Sequence, residues 1–274
     1  MSTRKISVLF LLLATGLFAE PDPAAFQKQQ KDLERRESRE LQKVDQAEEL
    51  ERIKVRTRER DELARVQREA TVNATTTTAA VVATGKLSVV DTTKLAQLKF
   101  AEDEVRNLVQ NQLDAGLNVR FTRERGAINR KYALERAKLE AQQLDAGDDT
   151  AKQREQAVKT AELTAKFQEQ LDDLAAELET ESAKLRFEHT TRINAAERDL
   201  TAFSAKHLME QVGKGTAANY NPAADPDYAK LAAARDAARS ALETALEELR
   251  AKFNVRRTDI ENAREDEQAK LSGS

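Results

Sequence analysis

The sequence contains no cysteine, no tryptophan and only two histidines among 274 residues. The absence of cysteine excludes disulfide frameworks, thiolate nucleophiles and cysteine-based zinc or iron–sulfur sites. Aromatic residues make up only 4% of the chain, which is too few for an ordinary globular enzyme core, because aromatic side chains supply much of the buried area there. The sequence also offers no catalytic triad, paired-carboxylate cleft or cofactor fingerprint. We therefore expect no enzyme activity, no cofactor and no metal.

Charged residues are abundant and nearly balanced in sign. They make up 34% of the chain, with 45 lysines and arginines against 48 aspartates and glutamates. A composition dominated by Ala, Glu, Lys, Leu and Arg is typical of coiled coils and long helices. It predicts an all-α fold, either a long antiparallel coiled-coil hairpin or an elongated helical bundle.

Residues 1–19 have the pattern of a secretory signal peptide. Arg4 and Lys5 precede an apolar run, and Ala19 offers a small residue for cleavage before Glu20. The apolar run is shorter than the roughly 20 residues that span a bilayer, although an uncleaved membrane anchor is the alternative. We expect an exported protein, periplasmic or extracellular after cleavage near Ala19. Export and a net charge of −3 argue against nucleic acid as a partner.

Residues 20–70 predict a highly charged N-terminal helix. Its apolar positions Leu33, Val44, Val55 and Val66 recur every eleven residues, which indicates a narrow, hendecad-like seam. Residues 71–91 then form a segment rich in Thr, Ala and Val, with no charge before Lys86. Their β-branched density disfavours helix, and predicts a linker or a small β-hairpin.

Residues 92–271 predict a coiled-coil region of three long helices, with a turn near 146–149 and a loop at 213–227. The string QLDAG occurs at 112–116 and again at 143–147. The second copy is expected to end a helix, because Gly147 can adopt a left-handed cap. The first copy predicts either another turn or a glycine tolerated within a long helix. The expected apolar positions of the first of these helices are Leu98, Ala101, Val105, Leu108, Leu113, Leu117, Phe121, Ile128, Tyr132 and Leu139.

The sharpest charge asymmetry of the chain is a basic stretch, residues 120–138. Its only acids are Glu124 and Glu135, and its basic residues are Arg120, Arg123, Arg125, Arg130, Lys131, Arg136 and Lys138. One interpretation is a surface for anionic lipid or wall polymer. The other is packing against acidic helix faces, such as Glu177, Glu179 and Glu181 of the next helix.

The tyrosines near the predicted loop and the two histidines are two further candidate sets. Tyr220 and Tyr228 bracket the loop at 213–227, where they either contact a partner or anchor the loop on the helix ends. His189 and His207 are eighteen residues apart on one predicted helix, a separation of about 27 Å. They therefore cannot share a metal ion.

The sequence thus predicts an exported coiled-coil structural or scaffold protein of the cell envelope, acting through protein–protein association. The expected partner is a second copy, in a homo-oligomer, or another helical envelope protein. One alternative is a periplasmic holdase-type chaperone for unfolded or lipid clients, by loose similarity to cavity-forming envelope chaperones without a shared motif. A second alternative is binding of a membrane surface or wall polymer through the basic stretch.

Overall fold

The structure, a computed structural model, describes residues 23–84, 89–143, 150–215 and 221–272. This described part of the chain is almost entirely helical and contains no strand. The predicted signal peptide, residues 1–19, lies outside it. In chain order the elements are α1 (Pro23–Thr84), α2 (Val89–Asn111), a π-helical segment (Gln112–Asn118), α3 (Val119–Ala141), α4 (Thr150–Gly213), a 3-10 turn (Pro222–Ala224) and α5 (Pro226–Ser272).

Helix α1 extends further than the sequence predicts. Instead of ending near residue 70 it continues to Thr84, and α2 begins at Val89. The backbone of residues 71–84 and 89–91 is therefore helical, and the expectation of a β-hairpin at 71–91 is wrong for these residues. Extension of an existing helix adds one hydrogen bond per residue without a new nucleation cost, so a β-branched tail can remain helical. Residues 85–88 lie outside the described part.

Contacts divide the chain into two compact units. The first comprises the described parts of residues 1–42, 126–170 and 261–274, and the second those of residues 43–125 and 171–260. In the first unit Leu33 of α1 packs with Tyr132 and Leu139 of α3, and Phe26 and Ile128 pack against this cluster. In this unit the apolar seam of α1 therefore faces α3.

In the second unit, Val55 of α1 packs with Val109 and Leu113, and Leu117 covers the cluster. Val55 and Leu113 are each only 3% exposed. The eleven-residue pattern predicted for α1 agrees with this burial, since Leu33 and Val55 are buried and Val44 and Val66 are half-buried.

The π-helical segment explains the burial pattern around Gly116. Val109, Leu113, Leu117 and Phe121 are spaced by four residues, and in an α-helix each such step would rotate the side chain by about 40° away from the seam. The wider π turn, with its i→i+5 hydrogen bonds, reduces this rotation and keeps the four residues facing the core. Leu108, expected in the seam, is instead 58% exposed, because Val109 takes its place.

The predicted loop between the last two helices begins where α4 ends at Gly213. Gly215 adopts a left-handed φ of 72°, a conformation that favours glycine. The described chain resumes at Asn221, whose side chain accepts a hydrogen bond from the Ala223 amide. The side chain of Asp225 accepts a hydrogen bond from the Asp227 amide at 2.8 Å and so caps the N-terminus of α5. Residues 144–149, with the predicted turn, and residues 216–220 lie outside the described part.

Candidate functional site

In the first unit, basic side chains of α3 form ion pairs with acids of α1. Arg136 lies 2.5 Å from Glu37, and Nζ of Lys131 lies 2.9 Å from Glu40. The hydroxyl of Tyr132, a fully buried residue, donates a 2.8 Å hydrogen bond to the same carboxylate of Glu40. The later residue of α3, Arg136, pairs with the earlier residue of α1, Glu37, whereas the earlier Lys131 pairs with the later Glu40. The two segments therefore run in opposite directions in this unit.

The other side of α3 faces α4 in the same unit. Arg130 lies 3.7 Å from Glu169, and Lys138 lies 3.6 Å from Glu162. The basic residues of this part of α3 therefore lie between acidic side chains of α1 and of α4. That arrangement neutralises them within the chain.

The remaining basic residues of the stretch belong to the second unit and are paired as well. Arg125 donates to Asp45 at 2.8 Å and also contacts Glu48. Two more pairs complete the set, Arg123 with Asp173 at 3.3 Å and Arg120 with Glu124 at 3.0 Å.

All seven basic residues of the stretch thus have an acidic partner. These contacts are of the kind expected if the basic stretch packs against acidic helix faces. The acids named for that packing from the sequence are, however, not the partners. Glu177 pairs instead with Arg256 of α5 at 2.7 Å, and Glu179 pairs with Arg186 of its own helix at 3.3 Å. The pairing explains the charge asymmetry without an external anion.

The electrostatics of these pairs are consistent with their geometry. Hydrogen bonds from Lys131 and then Tyr132 lower the pKa of Glu40. Desolvation raises the pKa of the Tyr132 hydroxyl, and its bond to Glu40 raises it further. For Glu48, burial acts to raise the pKa, but hydrogen bonds from Arg52 and Arg125 outweigh it and lower the pKa. Each carboxylate is therefore held in its charged form.

A second polar network surrounds the π-helical segment, and sequence reasoning missed it. Arg52 of α1 donates to Asn118 at 2.5 Å, and the amide of Asn118 donates to Asp114 at 3.2 Å. Gln110 donates to the same carboxylate at 2.9 Å. The repeated QLDAG string marks the position in the sequence, but its spacing gives no sign of a π turn. This network ties α1 to the segment in the second unit.

An open groove of about 670 Å³ lies beside this network in the second unit. Among the side chains that line it, Asn107 and Asn111 of α2 donate to the carbonyl oxygens of Phe187 and Ala183 on α4. The arginines that line it, Arg56, Arg106 and Arg186, each have an acidic partner. The side chains that line the groove include no converging set of reactive groups.

The loop residues predicted as partner contacts are only partly described. Tyr228 is half-buried, and its ring lies 6.4 Å from that of Phe203 at the end of α4. Phe203 also stacks on His207, with ring centroids 4.1 Å apart. Tyr228 therefore packs against α4. Tyr220 lies outside the described residues.

No metal-binding arrangement occurs in the described part of the chain. His207 lies 3.7 Å from Asp225, whereas Nδ1 of His189 is buried without a hydrogen-bond partner among the described groups. Within the described helices, no stretch combines the length and the apolar character needed to cross a bilayer.

Comparison of the chain with protein-family models, with curated proteins and with solved structures gives no match.

Proposed function

We propose that the chain is an exported coiled-coil scaffold of the cell envelope that acts through protein–protein association. The observation that supports it best is how the helices are joined: a narrow apolar seam, such as Leu33 against Tyr132, is flanked by interhelical ion pairs such as Glu37 with Arg136. This combination is the usual means by which coiled coils fix partner and direction.

The exposed apolar surface favours a scaffold over a holdase chaperone. A holdase needs a broad apolar surface to cover its client. The large apolar side chains exposed in the described residues are few and occur singly or in pairs: Leu50, Ile53, Leu108, Leu208, Val212 and Val255. The internal pairing of the basic stretch likewise favours a scaffold over membrane or wall-polymer binding.

Export is tested by expressing the full chain with a C-terminal tag and separating the cell fractions. We expect the tagged protein outside the cytoplasm with Glu20 at its N-terminus, as read by protein sequencing. A matched variant with Leu11→Arg and Leu12→Arg, which interrupts the apolar run of the signal, should remain in the cytoplasm at full length. Cytoplasmic accumulation of the unaltered chain with Met1 or Ser2 at its N-terminus would disprove export.

Association is tested by lysine-reactive cross-linking in intact cells, followed by purification of the tagged chain. A scaffold should give a few discrete cross-linked species of constant composition. A holdase would instead give a smear of many clients, bind an environment-sensitive apolar dye and suppress aggregation of an unfolded test protein. Recovery of the uncross-linked chain alone would contradict association.

A further inference from the structure

Helix α1 exposes an apolar pair on the side away from its own core. Leu50 is 60% exposed and Ile53 is 54% exposed, whereas Val55 is only 3% exposed. At about 100° per residue, Leu50 lies about 140° and Ile53 about 160° from Val55 around the helix. The pair therefore occupies the face opposite the seam that packs on the π-helical segment.

The spacing around this pair is that of a second seam. Gln46, Leu50, Ile53 and Thr57 follow one another at steps of four, three and four residues, which places them along one stripe of the helix. A shallow groove of about 510 Å³ runs beside Ile53, and Glu49, Arg56, Thr57 and Arg60 are among the residues that line it. This groove has room for side chains of another helix.

We propose that a second copy of this chain docks antiparallel on the face of α1 that carries Leu50 and Ile53. A two-fold axis between the two residues places Leu50 of one copy beside Ile53 of the other, so the same patch serves both copies. The next layer pairs Gln46 with Thr57, an amide with a hydroxyl that can share a hydrogen bond. The proposal rests on the scaffold function above and names its partner.

Charge complementarity supports this occupant and this direction. Glu49 and Arg56 lie on the same side of the stripe, and in an antiparallel pair the same side of each helix faces its counterpart. Glu49 of each copy thus meets Arg56 of the other. The side chain of Arg56 is 57% exposed and is held by Glu59 one turn away, while Glu49 has no ion-pair partner among the described side chains. The antiparallel direction also aligns the helix dipoles favourably.

The interface is short. Beyond Gln46 and Thr57 the next layer sets Lys43 against Arg60, and these like charges end the contact. An interface of this length is smaller than the roughly 1,200 Å² of stable complexes. We therefore expect reversible dimerisation, with a dissociation constant in the micromolar range.

Sedimentation equilibrium of the mature protein tests the proposal. The apparent mass should approach twice that of the monomer as the concentration rises to about 100 µM. The variant with Leu50→Asp and Ile53→Asp should remain a monomer with unchanged helix content, because both side chains are exposed. Val255→Asp, which alters an equally exposed valine on α5, should dimerise like the unaltered protein. A wild-type monomer throughout, or an undiminished mass for the double variant, would overturn the proposal.

Disulfide trapping tests the antiparallel direction. Because the chain has no native cysteine, only the introduced cysteines can form disulfides. Mixed Gln46→Cys and Thr57→Cys proteins should form a mixed disulfide dimer on mild oxidation. Gln46→Cys alone should form little dimer, and efficient trapping of that variant with itself would overturn the antiparallel arrangement. Glu49→Arg should weaken dimerisation at least tenfold, and adding Arg56→Glu should restore it. If the chain is monomeric but still forms discrete cross-linked species in cells, only this inference fails and the scaffold function stands.

Discussion

At the scale of single residues, the two large side chains most completely buried in the described part of the chain lie inside the basic stretch. Phe121 and Tyr132 are each 0% exposed. We expect Phe121→Ala to lower the free energy of unfolding by about 3–5 kcal/mol, the usual cost of removing a buried phenylalanine ring. Val255→Ala, at a 63% exposed site, should change it by less than about 0.5 kcal/mol. Urea unfolding followed by circular dichroism measures both, and a loss near that of Val255→Ala would contradict the packing described for Phe121.

The Glu40 carboxylate predicts a dependence of stability on pH. Its pKa in the folded chain is lowered by Lys131 and Tyr132 from an ordinary value of 4.5. A lowered folded pKa contributes stability that is fully present above the ordinary value and is lost as the pH falls through the folded value. Glu40→Gln should therefore destabilise the protein at pH 7, with a smaller difference from the unaltered protein at pH 3.

Thermal unfolding at both pH values checks this prediction. Glu34→Gln, an exposed position on the same helix, is the matched control and should leave the unfolding midpoint nearly unchanged at either pH. A Glu40→Gln effect of equal size at pH 7 and pH 3 would mean that the ionised carboxylate does not provide the stabilisation.

At the scale of elements, the π-helical segment contains a glycine that its geometry does not require. A Cβ atom added at Gly116 would meet no atom within 4 Å, and its φ is not positive. Gly116→Ala should therefore stabilise the protein by about 0.5–1 kcal/mol, through the lower entropy of the unfolded chain. The contrasting change is Gly215→Ala, which should destabilise by about 1 kcal/mol or more because of the φ of 72° there. Urea unfolding measures both changes in the free energy of unfolding, and a change of the same sign for the two variants would contradict this prediction.

The helices also show which structural features local sequence patterns are sufficient to predict. The eleven-residue repeat of α1 predicts the burial of Leu33 and Val55, because burial on one helix face follows directly from helical periodicity. The helix at 71–84 is not predicted. The low helix propensity of Thr and Val argues against a helix there, but extending the existing helix α1 needs no new nucleation step. The π turn is not predicted either, because it depends on which of Leu108 and Val109 the neighbouring helix accepts.

The ion pairs of the candidate site are likewise predicted only in part. Charge balance alone indicates that the basic stretch faces acidic side chains of neighbouring helices. It does not identify Glu37, Glu40 or Glu162 as the partners, because the register between helices is set by tertiary packing, which local sequence patterns do not contain. The sequence therefore predicts the chemistry of the contact, and tertiary structure determines the pairs.

At the scale of the whole molecule, interhelical ion pairs recur in both units, and most of their side chains are partly exposed. Each is worth little alone, about 0–1 kcal/mol, and salt screens them. We expect the thermal midpoint to fall by about 2–4 °C when sodium chloride is raised from about 0.02 to 0.5 M, the shift produced by a loss of about 1 kcal/mol in a chain of this size. An unchanged or higher midpoint in differential scanning calorimetry would contradict a contribution from these pairs.

The same pairing predicts weak binding to anionic membranes, although the basic stretch is the most positive part of the sequence. An anionic lipid would have to displace carboxylates that already contact Arg125, Lys131 and Arg136, so the gain in Coulomb energy is largely cancelled. We expect less than a tenth of the protein to sediment with vesicles containing 30% anionic lipid at 0.1 M salt. Glu37→Gln with Glu40→Gln removes two of these acidic partners and should increase sedimentation severalfold. Strong, salt-sensitive binding by the unaltered protein would favour the membrane-surface function over the scaffold.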